Sequence, residues 1–302
     1  NAIFVDSRDA KRCDESYADF NGRKGRFFDI VYGRKKFIMN TTMASEINVL
    51  SHQLNRLSEK DRLSRDFTLY SLRDAIREVI ASFPIYRTYI TKFERLEEHD
   101  RKFIEMAVTK AKQRSPATDI SIFDYVKRIL LMQHPEYFTE EDRMEQLAFV
   151  QKFQQCTGPI MAKGLEDTAF YVYNRLVSLN EVGGDPQTFG ISMNDFHAQN
   201  AERLEKWPYS MLATSTHDTK RSEDVRARIN VLSEMPDAWQ AAATRWADLN
   251  RPKKSELEGD PAPDANEEYL LYQTLLGAWP FGEPSPGEYQ EFVKRIQAYM
   301  MK

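Results

Sequence analysis

Hydrophobic positions recur with a helical period over most of this chain. Ile47, Leu50, Leu54 and Leu57 fall at i, i+3, i+7 and i+10 and form one apolar stripe. Leu69, Leu72, Ile76, Val79 and Ile80 form a second, stopped by Pro84. A long charged helix over residues 95–114 follows, with Phe103, Ile104 and Val108 inward, and Ser115-Pro116 breaks it. Thr118 or Asp119 caps the next helix, whose Ile122, Phe123, Val126, Ile129 and Leu130 give a broad apolar face. Thr139–Asp142 then opens another in capping-box style, with Leu147, Val150 and Phe153 inward and Gly158-Pro159 after it. The pattern predicts an all-helical module over 41–157.

Outside that module the pattern is more varied. Residues 1–40 mix basic, glycine-punctuated runs (Asn21–Arg26, Tyr32–Lys36) with Phe27, Phe28, Ile30 and Val31. A short apolar segment precedes Lys163, Gly164, Glu166 and Asp167, and Phe170, Tyr171 and Tyr173 follow. Met211–Thr216 reads as a short strand, His217–Arg221 as a polar corner, and Ser222 as the N-cap of a helix carrying Val225, Ile229 and Leu232. Trp239 and Trp246 share a helix, 250–266 is a polar loop, and Glu267–Trp279 and Gly287–Lys302 are helices.

Composition narrows the function classes. The chain has 302 residues, 41% hydrophobic and 29% charged, with a net charge of −4. That balance, with no basic helix, gives no reason to expect nucleic acid or an anionic membrane as partner. No apolar run approaches membrane-spanning length, and the polar first residues do not read as a signal peptide. Cys13 and Cys156 suggest neither a disulfide framework nor a metal site, so a cytoplasmic setting is the simplest expectation. His52, His99, His134 and His197 sit at ordinary helix-surface positions, and no pair has metal-ligand spacing.

The candidate chemistry lies at two corners. His217-Asp218 ends a strand-like run, which is where catalytic side chains sit in a β/α barrel. An ionised aspartate there supports positive charge developing in a substrate, and the histidine donates to a hydroxyl. A lone His-Asp pair is a weak signal. The Lys163–Tyr173 stretch mixes cations, carboxylates and tyrosines, the materials that bind sugar hydroxyls and ring faces; an ion-pair network over a tyrosine-rich helix would look the same.

Two longer stretches carry a resemblance. THDTKRSEDVRAR within Met211–Arg228, with GPIMAKGLEDTAFYVYNRLVSLNEVGGDP over Gly158–Pro186, resembles the maltooligosyltrehalose synthases of the α-amylase-like glycoside hydrolase superfamily. The resemblance implies a mainly α chain: a barrel-associated segment over 1–40, the helical insertion domain over 41–157, and the later part of a (β/α)8 barrel with its helices and few short strands over 158–302. It implies a maltooligosaccharide whose reducing-end α-1,4 bond becomes α,α-1,1; no cofactor or metal is expected. Such retaining chemistry needs a nucleophilic carboxylate and a carboxylic acid. Neither motif is found here; Asp29 is the nearest temptation, in surroundings that do not match. Asp218 matches the third catalytic aspartate and His217 the histidine contacting the sugar. Lys163, Glu166 and Tyr171 fall in the family's KGxEDTAFY run, and Lys220 and Arg221 follow the His-Asp. Lys163 and Arg221 are expected to face the substrate, Glu223 and Asp224 to serve the helix start, and Arg226 to bridge Asp218 or be solvated.

The expectation is therefore a central-to-C-terminal piece of such an enzyme, inactive alone, with association through exposed barrel edges. The alternatives are another α-glucan hydrolase or glucanotransferase of the same superfamily, a non-catalytic helical interaction module, and a metal phosphohydrolase built on His217-Asp218. The last lacks further ligands of suitable spacing.

Overall fold

The computed structural model describes residues 1–22, 25–92 and 96–301. Arg23 and Lys24 of the basic run, and Arg95 at the expected start of the charged helix, lie outside the described residues. The chain is 68% helical, with two short strands among the described residues, as the mainly α expectation requires. It divides into two compact units, Asn1–Phe27 with Phe170–Lys302, and Phe28–Ala169. Among the described residues no helix is long and apolar enough to cross a membrane.

Residues 1–40, mixed in their pattern, are mostly helical: α1 spans Ala10–Asn21 and α2 Phe27–Asn40. The Phe28–Ala169 unit continues with α3 (Ala44–Lys60), α4 (Leu69–Ser82), α5 (Glu98–Arg114), α6 (Ile120–Leu130) and α7 (Glu140–Met161). Most positions of the stripes read from the sequence are in its core, Leu69 and Phe103 being only half-buried. Ile47, Leu50, Leu54, Leu72, Ile76, Val79, Phe123, Val126 and Phe149 are each 0% exposed. Helix ends follow local chemistry. Thr68 accepts from Ser71 N at 3.1 Å and Asp119 from Ser121 N at 2.8 Å. Thr139 and Asp142 form a reciprocal capping box. Pro84 holds Phe83 in the extended region (φ −67, ψ 122), which ends α4. Asp29, on α2, pairs with Arg114 of α5.

One expectation fails here. Gly158-Pro159 does not follow α7 but lies inside it. Pro159 removes one backbone donor, a cost of about 3 kcal/mol in an ordinary helix interior. Buried Phe153, Cys156 and Ile160 on the same helix outweigh it, because leaving the helix would expose them. The chain then widens into a π-helix over Ala162–Ala169, so Lys163, Glu166 and Asp167 stand on a helix rather than a strand-to-helix corner.

Lys35 of α2 is 2% exposed, and its Nζ donates to the Phe83 carbonyl at 2.7 Å, capping the end of α4. Burial first, and Lys110 second, push its pKa down to about 7 from 10.5. The unfolded chain therefore binds more protons than the folded one between about pH 7 and 10.5. Folding stability should rise across that window, by on the order of 5 kcal/mol if the whole shift is expressed. Chemical denaturation from pH 6.5 upward checks this, and Lys35→Met should flatten the rise.

In the other unit the chain re-enters through α8 (Phe170–Val172) and continues with α9 (Met193–Lys206), α10 (Glu223–Asn230), α11 (Pro236–Asn250), α12 (Ala265–Ala278) and α13 (Pro286–Met300). α1 packs on α11 and α12. Trp239 Nε1 donates to the Tyr269 hydroxyl at 2.5 Å, and Tyr17 stands 5.4 Å from the Tyr269 ring. α10 closes on α12 at Gly277, where a Cβ would come within 2.8 Å of Val225. The polar stretch 250–266 is not simply a loop. It forms a hairpin, β1 (Ser255–Leu257) against β2 (Asp260–Ala262), with Ser255 opposite Ala262. Glu258 and Gly259 turn it with positive φ (54 and 93), the conformation that tight hairpins demand.

Met211–Thr216 forms no strand. Met211 is 99% and Leu212 72% exposed. A strand needs a neighbour for its N–H and C=O groups, and none runs beside this segment among the described residues.

Candidate functional site

The polar corner is a tight turn closed on itself by threonines. Thr219 donates its hydroxyl to the Thr216 carbonyl at 2.8 Å, and Asp218 N donates to Thr216 Oγ1 at 3.3 Å. His217 and Asp218 occupy the tip, with side chains 91% and 69% exposed and Nε2 and Oδ2 3.4 Å apart. They are presented to solvent as a pair.

The base of the turn is held by a residue the sequence reading passed over. Glu181 is 7% exposed. Its carboxylate accepts from the backbone N–H of Lys220 at 2.7 Å and of Arg221 at 2.8 Å. Arg221 is 7% exposed and turns inward: its guanidinium donates to the Val177 carbonyl and to the Tyr299 hydroxyl, each at 3.0 Å. Burial raises the Tyr299 phenol pKa, and Tyr171 and Glu181 push the same way against Arg221. Tyr171, Glu181, Arg221 and Tyr299 thus share one electrostatic neighbourhood beneath the corner.

Beyond the corner, Ser222 is the N-cap of α10 but makes no side-chain cap bond. Glu223 accepts instead from the Ser215 hydroxyl, which holds its carboxyl below the usual range, with the helix amide at its own position second. Arg226 neither bridges Asp218 nor is solvated. It is 9% exposed and donates to the Thr214 carbonyl and to Ser215 Oγ, tying the incoming strand-like segment to the helix. A buried guanidinium needs acceptors, and the exposed chain before the turn supplies them.

Glu181 is itself fixed. It follows a 3-10 turn, Val177–Leu179, whose Val177 N donates to Gln273 Oε1 of α12 at 2.9 Å. Asn180 Nδ2 donates to the carbonyls of Phe170 at 2.8 Å and Tyr173 at 2.6 Å. Gly184 N donates to the Glu181 carbonyl at 2.8 Å, and a Cβ at Gly184 would stand only 3.0 Å from that oxygen.

The remaining site candidates belong to the Phe28–Ala169 unit. Lys163 is exposed and pairs with Asp167 at 2.7 Å, one helical step on. Glu166 accepts from the Tyr86 hydroxyl, whose pKa is raised by burial first and by Glu166 second. Tyr86 comes from the aromatic run after α4, with Arg87 over the Tyr89 ring at 4.9 Å. A cavity of about 500 Å³ lined by Asp14, Tyr17, Phe27, Tyr173 and Arg175 includes none of the candidate residues. Among the described residues no three His, Cys, Asp or Glu side chains gather to hold a metal.

The mainly helical chain matches solved structures of maltooligosyltrehalose synthases, which are α-amylase-like. Its relatives are maltooligosyltrehalose synthases. The Arthrobacter ramosus synthase matches 99% of the chain at TM-score 0.76 and 31% identity. The hypothetical synthase of Sulfolobus tokodaii matches 99% at TM-score 0.69 and 29% identity. A Mycobacterium tuberculosis protein provisionally named maltooligosyl trehalose synthase is 46% identical over 129 residues, 43% of this chain and 16% of that protein. No family model matches. The chain spans about a third of the length of the solved structures it matches, 33% in both cases.

Proposed function

We propose that this chain supplies the His217-Asp218 corner to an enzyme that isomerises the reducing-end α-1,4 bond of a maltooligosaccharide to α,α-1,1. The carrying observation is the pair at the tip of a turn whose base is pinned by a buried carboxylate. Asp218 steadies the positive charge of the distorted sugar, and His217 donates to a hydroxyl beside the scissile bond. Preorganised charge of this kind acts in the transition state because it needs no rearrangement as the reaction proceeds. Tyr171 and Lys220 supply further sugar contacts at the corner, and Lys163 and Glu166 are candidate sugar contacts of the Phe28–Ala169 unit taken by itself. Arg221, turned inward, acts from beneath the corner. The nucleophile and the acid come from outside this chain, since a third carboxylate alone cannot form the covalent glycosyl intermediate.

A reducing-end time course with maltopentaose tests the reading. This chain alone should leave reducing ends unchanged. The longer enzyme containing it should lower them without shortening the glucan. Rising reducing ends would mean hydrolysis and would favour the other α-glucan enzymes; no change with the longer enzyme would sink both.

A further inference from the structure

We infer that Glu181 is a positioning residue for Asp218, acting through the backbone of residues 220 and 221. The inference rests on the reading of Asp218 as a substrate-facing carboxylate.

Both oxygens of Glu181 serve the corner: Oε2 takes the Lys220 N–H and Oε1 the Arg221 N–H. Bonds from backbone amides to an ionised carboxylate are about twice as strong as neutral ones. They hold the chain two and three residues beyond Asp218, while the Thr216–Thr219 bonds close the turn on its other side. The Asp218 backbone is therefore fixed from both directions although its side chain stands in solvent.

The anchor has a rigid base. Gln273 of α12 bonds the Val177 amide and the Asn174 carbonyl, and Asn180 ties Phe170 to Tyr173. Arg221 completes the frame through Val177 and Tyr299 of α13. A surface aspartate on an unsupported turn would sample many orientations. A misplacement of about 1 Å at a reacting group can cost about 100-fold in rate.

The test uses the longer enzyme that contains this chain. Glu181→Gln keeps the shape but offers one acceptor oxygen, and turns an amide NH2 toward the second backbone N–H. It should lower kcat on maltopentaose by about 100-fold with KM changed less than about threefold. Amide exchange at Lys220 and Arg221 should speed by at least about tenfold relative to other helix-start amides. In the Asp218→Asn background the same change should add less than about threefold, because a residue acting through Asp218 has little left to lose. Near-UV circular dichroism checks folding, and Glu181→Asp, which keeps the charge with a shorter reach, replaces the Gln variant if that one does not fold. An unchanged kcat, or a full multiplicative loss in the double variant, overturns the inference. If the unaltered enzyme and Asp218→Asn act on maltopentaose alike, the functional reading has failed instead; unchanged amide exchange at 220 and 221 would then still refute Glu181 as the anchor.

Discussion

Asp218→Asn, made in the enzyme that contains this chain, should lower formation of non-reducing ends by about 1,000-fold or more and leave the fold intact. The physical asymmetry is in the exposure. The Asp218 side chain is 69% exposed, and its ring partner His217 lies 3.4 Å away. The amide keeps the shape, so packing is not disturbed. It removes the negative charge, the one property an oxocarbenium-like sugar would feel. The two measurements are the reducing-end time course and the thermal midpoint. A rate within tenfold of the unaltered enzyme would remove Asp218 from the chemistry. A large fall in the midpoint would make it a structural residue.

Gly164→Val should destabilise the Phe28–Ala169 unit by about 3 kcal/mol or more, and Gly164→Ala by somewhat less. A Cβ at Gly164 would stand 2.9 Å from Lys35 Cγ and 3.0 Å from Lys35 Cα and N. Cγ can swing away, but the backbone of α2 cannot move without disturbing the packing of its buried Ile38 and Met39. Lys35→Ala in the same chain should therefore fail to rescue Gly164→Val. Urea midpoints of the single and double variants decide it. Full rescue would mean that only the lysine side chain stands in the way. The contact also explains why glycine sits in a π-helix between Lys163 and Glu166: the tight approach to α2 sets the position of both side chains.

The helical unit was largely legible in the sequence. Its stripes, its Thr139–Asp142 capping box and the stop at Pro84 are all events within a few residues of one another. The break expected at Gly158-Pro159 was misread because the local penalty of a proline is visible in a sequence. The buried Phe153, Cys156 and Ile160 that overrule it are buried only by other helices. Met211–Thr216 shows the converse. Its residues suit a strand, but strand hydrogen bonds are made to another chain segment, and no such segment lies beside it among the described residues.

The His217-Asp218 corner was found from contiguous residues, and its relatives bear out the family resemblance. The residue that holds it was not. Glu181 lies 39 and 40 positions before the amides it binds, and in the sequence it is one acid beside a glycine turn. Arg221 looked like a substrate contact and is turned inward onto Val177 and Tyr299. The sequence by itself thus determined most helices of the Phe28–Ala169 unit, several of their caps and the family resemblance, because periodicity, capping and contiguous motifs are local. Only the tertiary structure decided which polar groups face solvent and which are spent on the frame, because a buried charge takes whichever partner the packing brings within reach.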